Sequence, residues 1–190
     1  MGLINKSYYA LGTVINLSVA EPSGVADLEA GYKLIQNFED KLTVNRNESE
    51  VMSINHNAGI KPVQVPEDTY DLIKRAVLVS RKHLGFNVAI GPLVKLWKIG
   101  FKGANKPCDK DIKQRLQIID PEKIILDDAN MSVFLQEKGM EIDLGGIAKG
   151  YIADEIKKLW QKRGVQTGII DLGGNVLLVG DSLHEDKLWN

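Results

Sequence analysis

Residues Glu141 to Asp154 read Glu-Ile-Asp-Leu-Gly-Gly-Ile-Ala-Lys-Gly-Tyr-Ile-Ala-Asp, and this stretch demands a change of backbone geometry within a few positions. Met140, Ile142 and Leu144 alternate as in a strand, whereas Ile147, Tyr151, Ile152, Ile156 and Leu159 recur at helical spacing. Gly145-Gly146 stands between the two patterns, so a strand, a tight turn and a helix N-terminus are expected here. Glycine admits backbone conformations closed to other residues and leaves room for a ligand beside the main chain. The first-turn amides of the helix would face such a ligand, and Lys149 adds a positive charge. Gly-Gly is also ordinary turn chemistry. The spacing matches neither G-x-G-x-x-G nor G-x-x-x-x-G-K-[ST], so motif logic alone stops at a candidate anion turn.

Upstream, Tyr8 to Ala20 reads as a strand, with Ile15, Leu17 and Val19 alternating against Asn16 and Ser18 after Gly12-Thr13, and Pro22-Ser23-Gly24 ends it. A helix over Val25 to Leu42 follows, with Leu28, Ile35, Phe38 and Leu42 on one face and Ser23 as its cap. Thr43 to Glu50 is polar and rich in side chains that bond their own backbone; composition reads it as a solvated loop leading to a helical turn at Val51 to Asn55. The clearest helix starts at Pro66. Acids Glu67, Asp68 and Asp71 open it and Arg81, Lys82 and His83 close it, with Leu72, Ile73, Ala76, Val77 and Leu84 as the apolar face and Gly85 at the left-handed stop.

Phe86 to Ile90 then reads as a short strand, Gly91 to Trp97 as a turn into one helical turn, Gly100 to Pro107 as an exposed connection and Asp109 to Leu116 as a helix. Lys123 to Leu144 has the rhythm of a meander: strands at Ile124 to Leu126, Met131 to Gln136 and Met140 to Leu144, with turns at Asp127 to Asn130 and Glu137 to Gly139. The helix after the diglycine runs to Arg163 and stops at Gly164, and strands follow at Gly168 to Leu172 and Val176 to Val179. Ile-Asp-Leu-Gly-Gly occurs twice, at Ile142 to Gly146 and Ile170 to Gly174, so two glycine-ended strands are expected to lie side by side. Asp181 to Asp186 is a polar turn, and Lys187 to Asn190 reads as a strand cut short, from which a longer natural polypeptide is expected.

Composition excludes some classes. With 44% hydrophobic and 26% charged residues, the 190-residue chain is in the ordinary globular range and long enough to bury a core. A formal net charge of −1 gives no electrostatic case for nucleic acid or an anionic membrane as general partner. No apolar run reaches the length of a membrane span, and the N-terminus lacks the layout of an export signal. Cys108 has no partner cysteine. His56 has no ligand at metal spacing, and Asp127-Asp128 in a hairpin turn reads as turn chemistry before it reads as a metal site.

Five stretches, in order, give the chain a resemblance to the ApbE family, the FAD:protein FMN transferases. Leu11-Gly12-Thr13 stands beside the family's Met-Gly-Thr, and Thr43-Val44-Asn45 through Ser49-Glu50 and Asn55 beside its Ser-Thr-Tyr-x-x-x-Ser-Glu with a later Asn. Phe86-Asn87 to Trp97 resembles Phe-Asp-Ile-x-x-Gly-Pro-Leu-x-x-Leu-Trp; Asp143 to Gly150 resembles Asp-Leu-Gly-Gly-Ile-Ala-Lys-Gly; Leu172-Gly173-Gly174-Asn175 resembles a later Gly-Gly motif. The resemblance covers essentially the whole chain and matches the family's N-terminal part.

The resemblance implies an α+β fold with mixed or antiparallel sheets and packed helices, ApbE-like and T-fold-like, with residues 1–190 as one FAD-binding region lacking the family's C-terminal segment. It implies transfer of FMN from FAD, as substrate, to a threonine hydroxyl of an acceptor protein, releasing AMP, with Mg2+ on the pyrophosphate. Leu11, Asn45, Gly85, Phe86, Asn87, Asp143 and Lys149 fall where the family contacts FAD, and Gly146 where it offers a main-chain oxygen to the metal; no residue receives a catalytic role. Leu11 replaces methionine, Asn45 replaces tyrosine and Asn87 replaces aspartate. The remaining metal ligands, an Asp and a Thr, belong to a part beyond Asn190, so the chain is expected to be an inactive piece of such an enzyme. Family members are often lipid-anchored outside the cytoplasm. Two other readings stay open: a flavin- or nucleotide-binding module without chemistry, and a purely structural role for the glycines.

Overall fold

The computed structural model describes residues 2–98, 102–184 and 186–189. In chain order the elements are strands β1 (Leu3–Ala10) and β2 (Thr13–Ala20), helices α1 (Val25–Leu42) and α2 (Glu50–His56), strand β3 (Val63–Gln64) and helix α3 (Glu67–Ser80). Helices α4 (Gly91–Trp97) and α5 (Asp109–Leu116) lead to strands β4 (Ile124–Asp127) and β5 (Ser132–Leu135); helix α6 (Ala148–Lys162) and strands β6 (Gly168–Leu172) and β7 (Asn175–Val179) follow. The architecture is α+β, and both sheets are antiparallel. The chain forms two units: residues 1–40 with 148–190, and Lys41–Ile147. Among the described residues no helix is long and apolar enough to cross a membrane.

The first unit carries a sheet in the order β1-β2-β6-β7. The stretch expected as one strand over Tyr8 to Ala20 is two, because Leu11 and Gly12, with φ of 54° and 71°, turn the chain back into a hairpin. Two consecutive left-handed residues are what a type I′ two-residue hairpin turn requires. Ile15, Leu17, Val19, Ile170 and Leu172 point inward and are buried with Leu28 and Ile35 of α1 and Ile152, Ile156 and Trp160 of α6. Trp160 donates from Nε1 to the carbonyl of Asp27 at 2.8 Å, and Arg163 Nε pairs with the Asp27 carboxylate at 2.7 Å. At the start of α1, Asp27 Oδ2 accepts from Gly24 N–H at 3.0 Å, a capping bond that comes from Asp27 where Ser23 was expected to supply it.

In the second unit the sheet runs β3-β5-β4. Leu72, Ile73, Ala76 and Val77 of α3 are fully buried, as are Val133 and Ile124. Leu84 is 82% exposed and does not extend the apolar face, because α3 ends at Ser80 and His83 turns left-handed at φ 53°. Asp127 accepts from the amides of Ala129 and Asn130 and from Asn130 Nδ2, which is turn chemistry.

Four further expectations are corrected. Phe86 to Ile90 is no strand: Asn87 caps a 3-10 turn at Val88–Ile90. Met140 to Leu144 forms no strand, and the place beside β5 goes to β3, with Val63 opposite Val133. The two Ile-Asp-Leu-Gly-Gly copies do not pair, because β6 has both edges occupied, by β2 and β7. Lys187 to Trp189 is not a strand, and Lys187 is left-handed at φ 58°. Gly100 and Phe101 of the expected connection, Glu185 of the polar turn and Asn190 lie outside the described residues.

Candidate functional site

The segment leading to the diglycine is anchored by alternate burial: Met140, Ile142 and Leu144 are at most 2% exposed. Extended backbone inside a core needs partners for its N–H and C=O groups, and here they come from outside any sheet. Asn55 of α2 meets Ile142 with both ends of its carboxamide, Oδ1 accepting from the amide at 2.8 Å and Nδ2 donating to the carbonyl at 3.1 Å. The next amide, of Asp143, donates to the carbonyl of Val88 at 2.8 Å. Val88 N–H in turn donates to the hydroxyl of Ser80, which donates to the Ala76 carbonyl.

Past this clamp the chain enters the turn. Asp143 Oδ1 accepts from Gly145 N–H at 2.7 Å, and Ile147 N–H closes back on the Leu144 carbonyl at 3.0 Å. Gly145 and Gly146 are exposed. The half-buried ring of Phe86 packs on Gly146, leaving a Cβ there only 3.1 Å from Cε2. Gly91 is needed for a similar reason, since a Cβ on it would meet the Glu141 carbonyl at 2.8 Å. Lys95 Nζ lies 2.7 Å from Glu141 Oε2.

Within Lys41–Ile147 the structure therefore brings together Phe86, Asn87, Asp143 and Gly146, with Gly85, at φ 94°, as the turn that delivers Phe86. Asn87 spends its side chain on the fold: Oδ1 accepts from Ala89 N–H and Nδ2 donates to the Ile119 carbonyl at 2.7 Å. An aspartate there would keep the first bond and lose the second. Asn45 is exposed in the loop 43–49, where its N–H donates to Thr43 Oγ1 and Ser49 Oγ donates to the Thr43 carbonyl. Leu11 and Lys149 belong to the other unit. Leu11 sits at the β1–β2 turn with its amide donating to Glu39 Oε1 at 3.0 Å, and Lys149 is in the first turn of α6, which contains no acidic residue.

Sequence reasoning passed over Ser80 and Glu39 and gave Asn55 no role. Ser80 had a signal: it continues the stripe Ile73, Ala76, Val77 at helical spacing, and a hydroxyl on a buried stripe needs a bonding partner. Among the described residues no group of three His, Cys, Asp or Glu side chains is arranged to hold a metal ion. A cavity of about 230 Å³ lies against α4, lined by Pro92, Lys95, Leu96, Lys98, Arg115 and Glu141; none of the expected FAD-contacting residues lines it.

The ApbE family model matches residues 11–190. A protein of Klebsiella pneumoniae named FAD:protein FMN transferase is 50% identical over 151 residues, covering 79% of this chain and 48% of its own length. A Treponema pallidum protein of the same name is 34% identical over 186 residues, covering 93% of this chain and 51% of its own. Among solved structures, the ApbE protein of Thermotoga maritima superposes with a TM-score of 0.87 at 28% identity, over 95% of this chain and 60% of that one. The chain thus spans about half the length of the curated relatives it matches. On the family match and these likenesses, the chain belongs to the ApbE family.

Proposed function

We propose that this chain is the FAD-holding part of an FAD:protein FMN transferase. The observation that carries the reading is the built turn at Asp143 to Gly146. Its carboxylate is folded back onto the Gly145 amide, its glycines are exposed and its floor is the Phe86 ring. Two relatives named for this activity, 50% and 34% identical, support it. FAD is proposed to contact Leu11, Asn45, Gly85, Phe86, Asn87, Asp143 and Lys149. Helix α6 carries Lys149 and no acid in its first turn, a charge arrangement that the helix dipole disfavours unless an anion is near; a pyrophosphate would offset it.

In the proposed reaction the acceptor's threonine hydroxyl oxygen bonds to the flavin-side phosphorus of FAD. The bond from that phosphorus to the bridging oxygen breaks, AMP leaves with that oxygen, and the hydroxyl proton passes to solvent. Mg2+ is proposed to accompany FAD, with the Gly146 main-chain oxygen as this chain's donor. One carbonyl does not make a magnesium site, which takes six oxygens in near-octahedral order and leans on carboxylates and phosphates. The residues present do not fit the ion by themselves, and no step is assigned to it. The chain alone is therefore proposed to bind FAD without completing transfer.

The test mixes the chain with FAD, Mg2+ and a threonine-bearing acceptor. Quenching of FAD fluorescence without covalent flavin on the acceptor is expected, and Lys149→Ala should weaken the quenching affinity roughly tenfold. No quenching would sink the FAD reading, and robust labelling would sink the inactive-piece reading.

A further inference from the structure

Burial fixes how deep a segment sits but is non-directional. Met140, Ile142 and Leu144 root their segment in the core, yet apolar contact alone does not decide which way Asp143 and the two glycines face. Direction comes from hydrogen bonds, and the two on Ile142 both come from one side chain, 87 residues away in sequence. Asn55 is 7% exposed and presents to Ile142 the acceptor and donor that a neighbouring strand residue would present. It stands in for the missing strand partner at the residue directly before Asp143. Val88 secures the following amide, so two successive residues are clamped before the exposed turn begins.

We infer that Asn55 is a positioning residue. Its carboxamide sets the backbone direction of Ile142, and with it the presentation of Asp143 and of the Gly145-Gly146 main chain, before any ligand arrives. Sites that hold a ligand through main-chain groups depend on such preset geometry, which a supporting shell supplies. What the turn holds rests on the FAD reading above; the positioning itself does not.

The experiment compares Asn55→Ala, and Asn55→Asp in case the alanine variant does not fold, with Val77→Ala, a core truncation in α3. Asn55→Asp keeps the acceptor for the Ile142 amide and loses the donor to its carbonyl. Amide hydrogen exchange is read at Asp143 and Gly145, well below melting, together with FAD affinity. Exchange at these two amides should quicken by roughly tenfold or more in the Asn55 variants relative to Val77→Ala, and FAD affinity should fall by a similar factor. Equal quickening in the control and the Asn55 variants overturns the inference, as does equal FAD affinity when the wild-type chain binds. A wild-type chain that takes up no FAD defeats the flavin reading, and the exchange comparison then decides the role of Asn55 alone.

Discussion

The Phe86 ring lies over Gly146 so closely that a Cβ on the glycine would stand 3.1 Å from Cε2 and 3.6 Å from Cδ2. Gly146→Ala forces the ring to give way, and overpacking of this size is expected to lower stability by about 1 kcal/mol. Because the clash is with one side chain, Phe86→Leu should relieve it. A double-mutant cycle by urea unfolding is expected to show a coupling of roughly 0.5–1 kcal/mol. Additive losses would mean that the glycine serves some other purpose.

Ser80 offers a second test, of the clamp on Asp143. The residue is 1% exposed, and its hydroxyl accepts from Val88 N–H at 2.8 Å and donates to the Ala76 carbonyl at 2.7 Å. Ser80→Ala leaves the Val88 amide buried without its partner, at a cost of about 1–3 kcal/mol. The urea midpoint should fall with the slope unchanged. A variant as stable as the wild type would show that the 3-10 turn shifts to satisfy that amide another way.

How far the chain could be read from its residues depended on whether the signal was local. Helices α1 and α5 fall where the sequence put them and α6 ends one residue before its expected stop, because their signals lie within the segment itself, whereas α3 ends at Ser80, short of the last turn expected at Arg81 to His83. The diglycine turn was legible for the same reason. Strand β1 was not: its burial follows no clean alternation, as befits an edge strand exposed along much of its length. Met140 to Leu144 has a strand's pattern without a strand's partner, and periodicity cannot tell a neighbouring strand from the side chain of Asn55. The bonds that shape the candidate site cross long intervals of sequence, from Asn55 to Ile142 and from Val88 to Asp143, so the residues of the turn could be named but not their supports.

Leu11 adopts φ 54° at the hairpin tip, a left-handed conformation that a Leu side chain disfavours by about 1 kcal/mol. Asparagine tolerates that region, and Asn-Gly is a favoured pair for a two-residue hairpin turn. Leu11→Asn is therefore expected to raise stability by about 0.5–1 kcal/mol, seen as a higher melting temperature. If Leu11 also touches FAD, the same variant should bind it several-fold less tightly, because an apolar contact is lost. A rise in stability with unchanged FAD affinity would remove Leu11 from the proposed contacts.

Asp128 joins the β4–β5 turn to α3, with both carboxylate oxygens 2.8 Å from Lys74 Nζ and Oδ1 accepting from the Tyr70 hydroxyl at 2.7 Å. The bond from Lys74, then the bond from Tyr70, holds its carboxyl below the ordinary aspartate value. Burial, then the bond to Asp128, pushes the Tyr70 hydroxyl above the ordinary tyrosine value. The depressed carboxyl stabilises the fold fully above its unfolded value, near about pH 4, and this contribution vanishes as the pH falls through the lower folded value. The raised phenol acts the other way, stabilising fully below about pH 10 and losing its effect as the pH climbs through the folded value. Asp128→Asn removes the acid-side term. Its melting temperature should lie below that of the wild type near about pH 7, and the two curves should converge below about pH 3. Melting followed from neutral to acid pH decides the matter. A gap as wide in acid as at neutrality would mean that the carboxylate's charge contributes nothing and that Asp128 acts through shape and neutral hydrogen bonds alone.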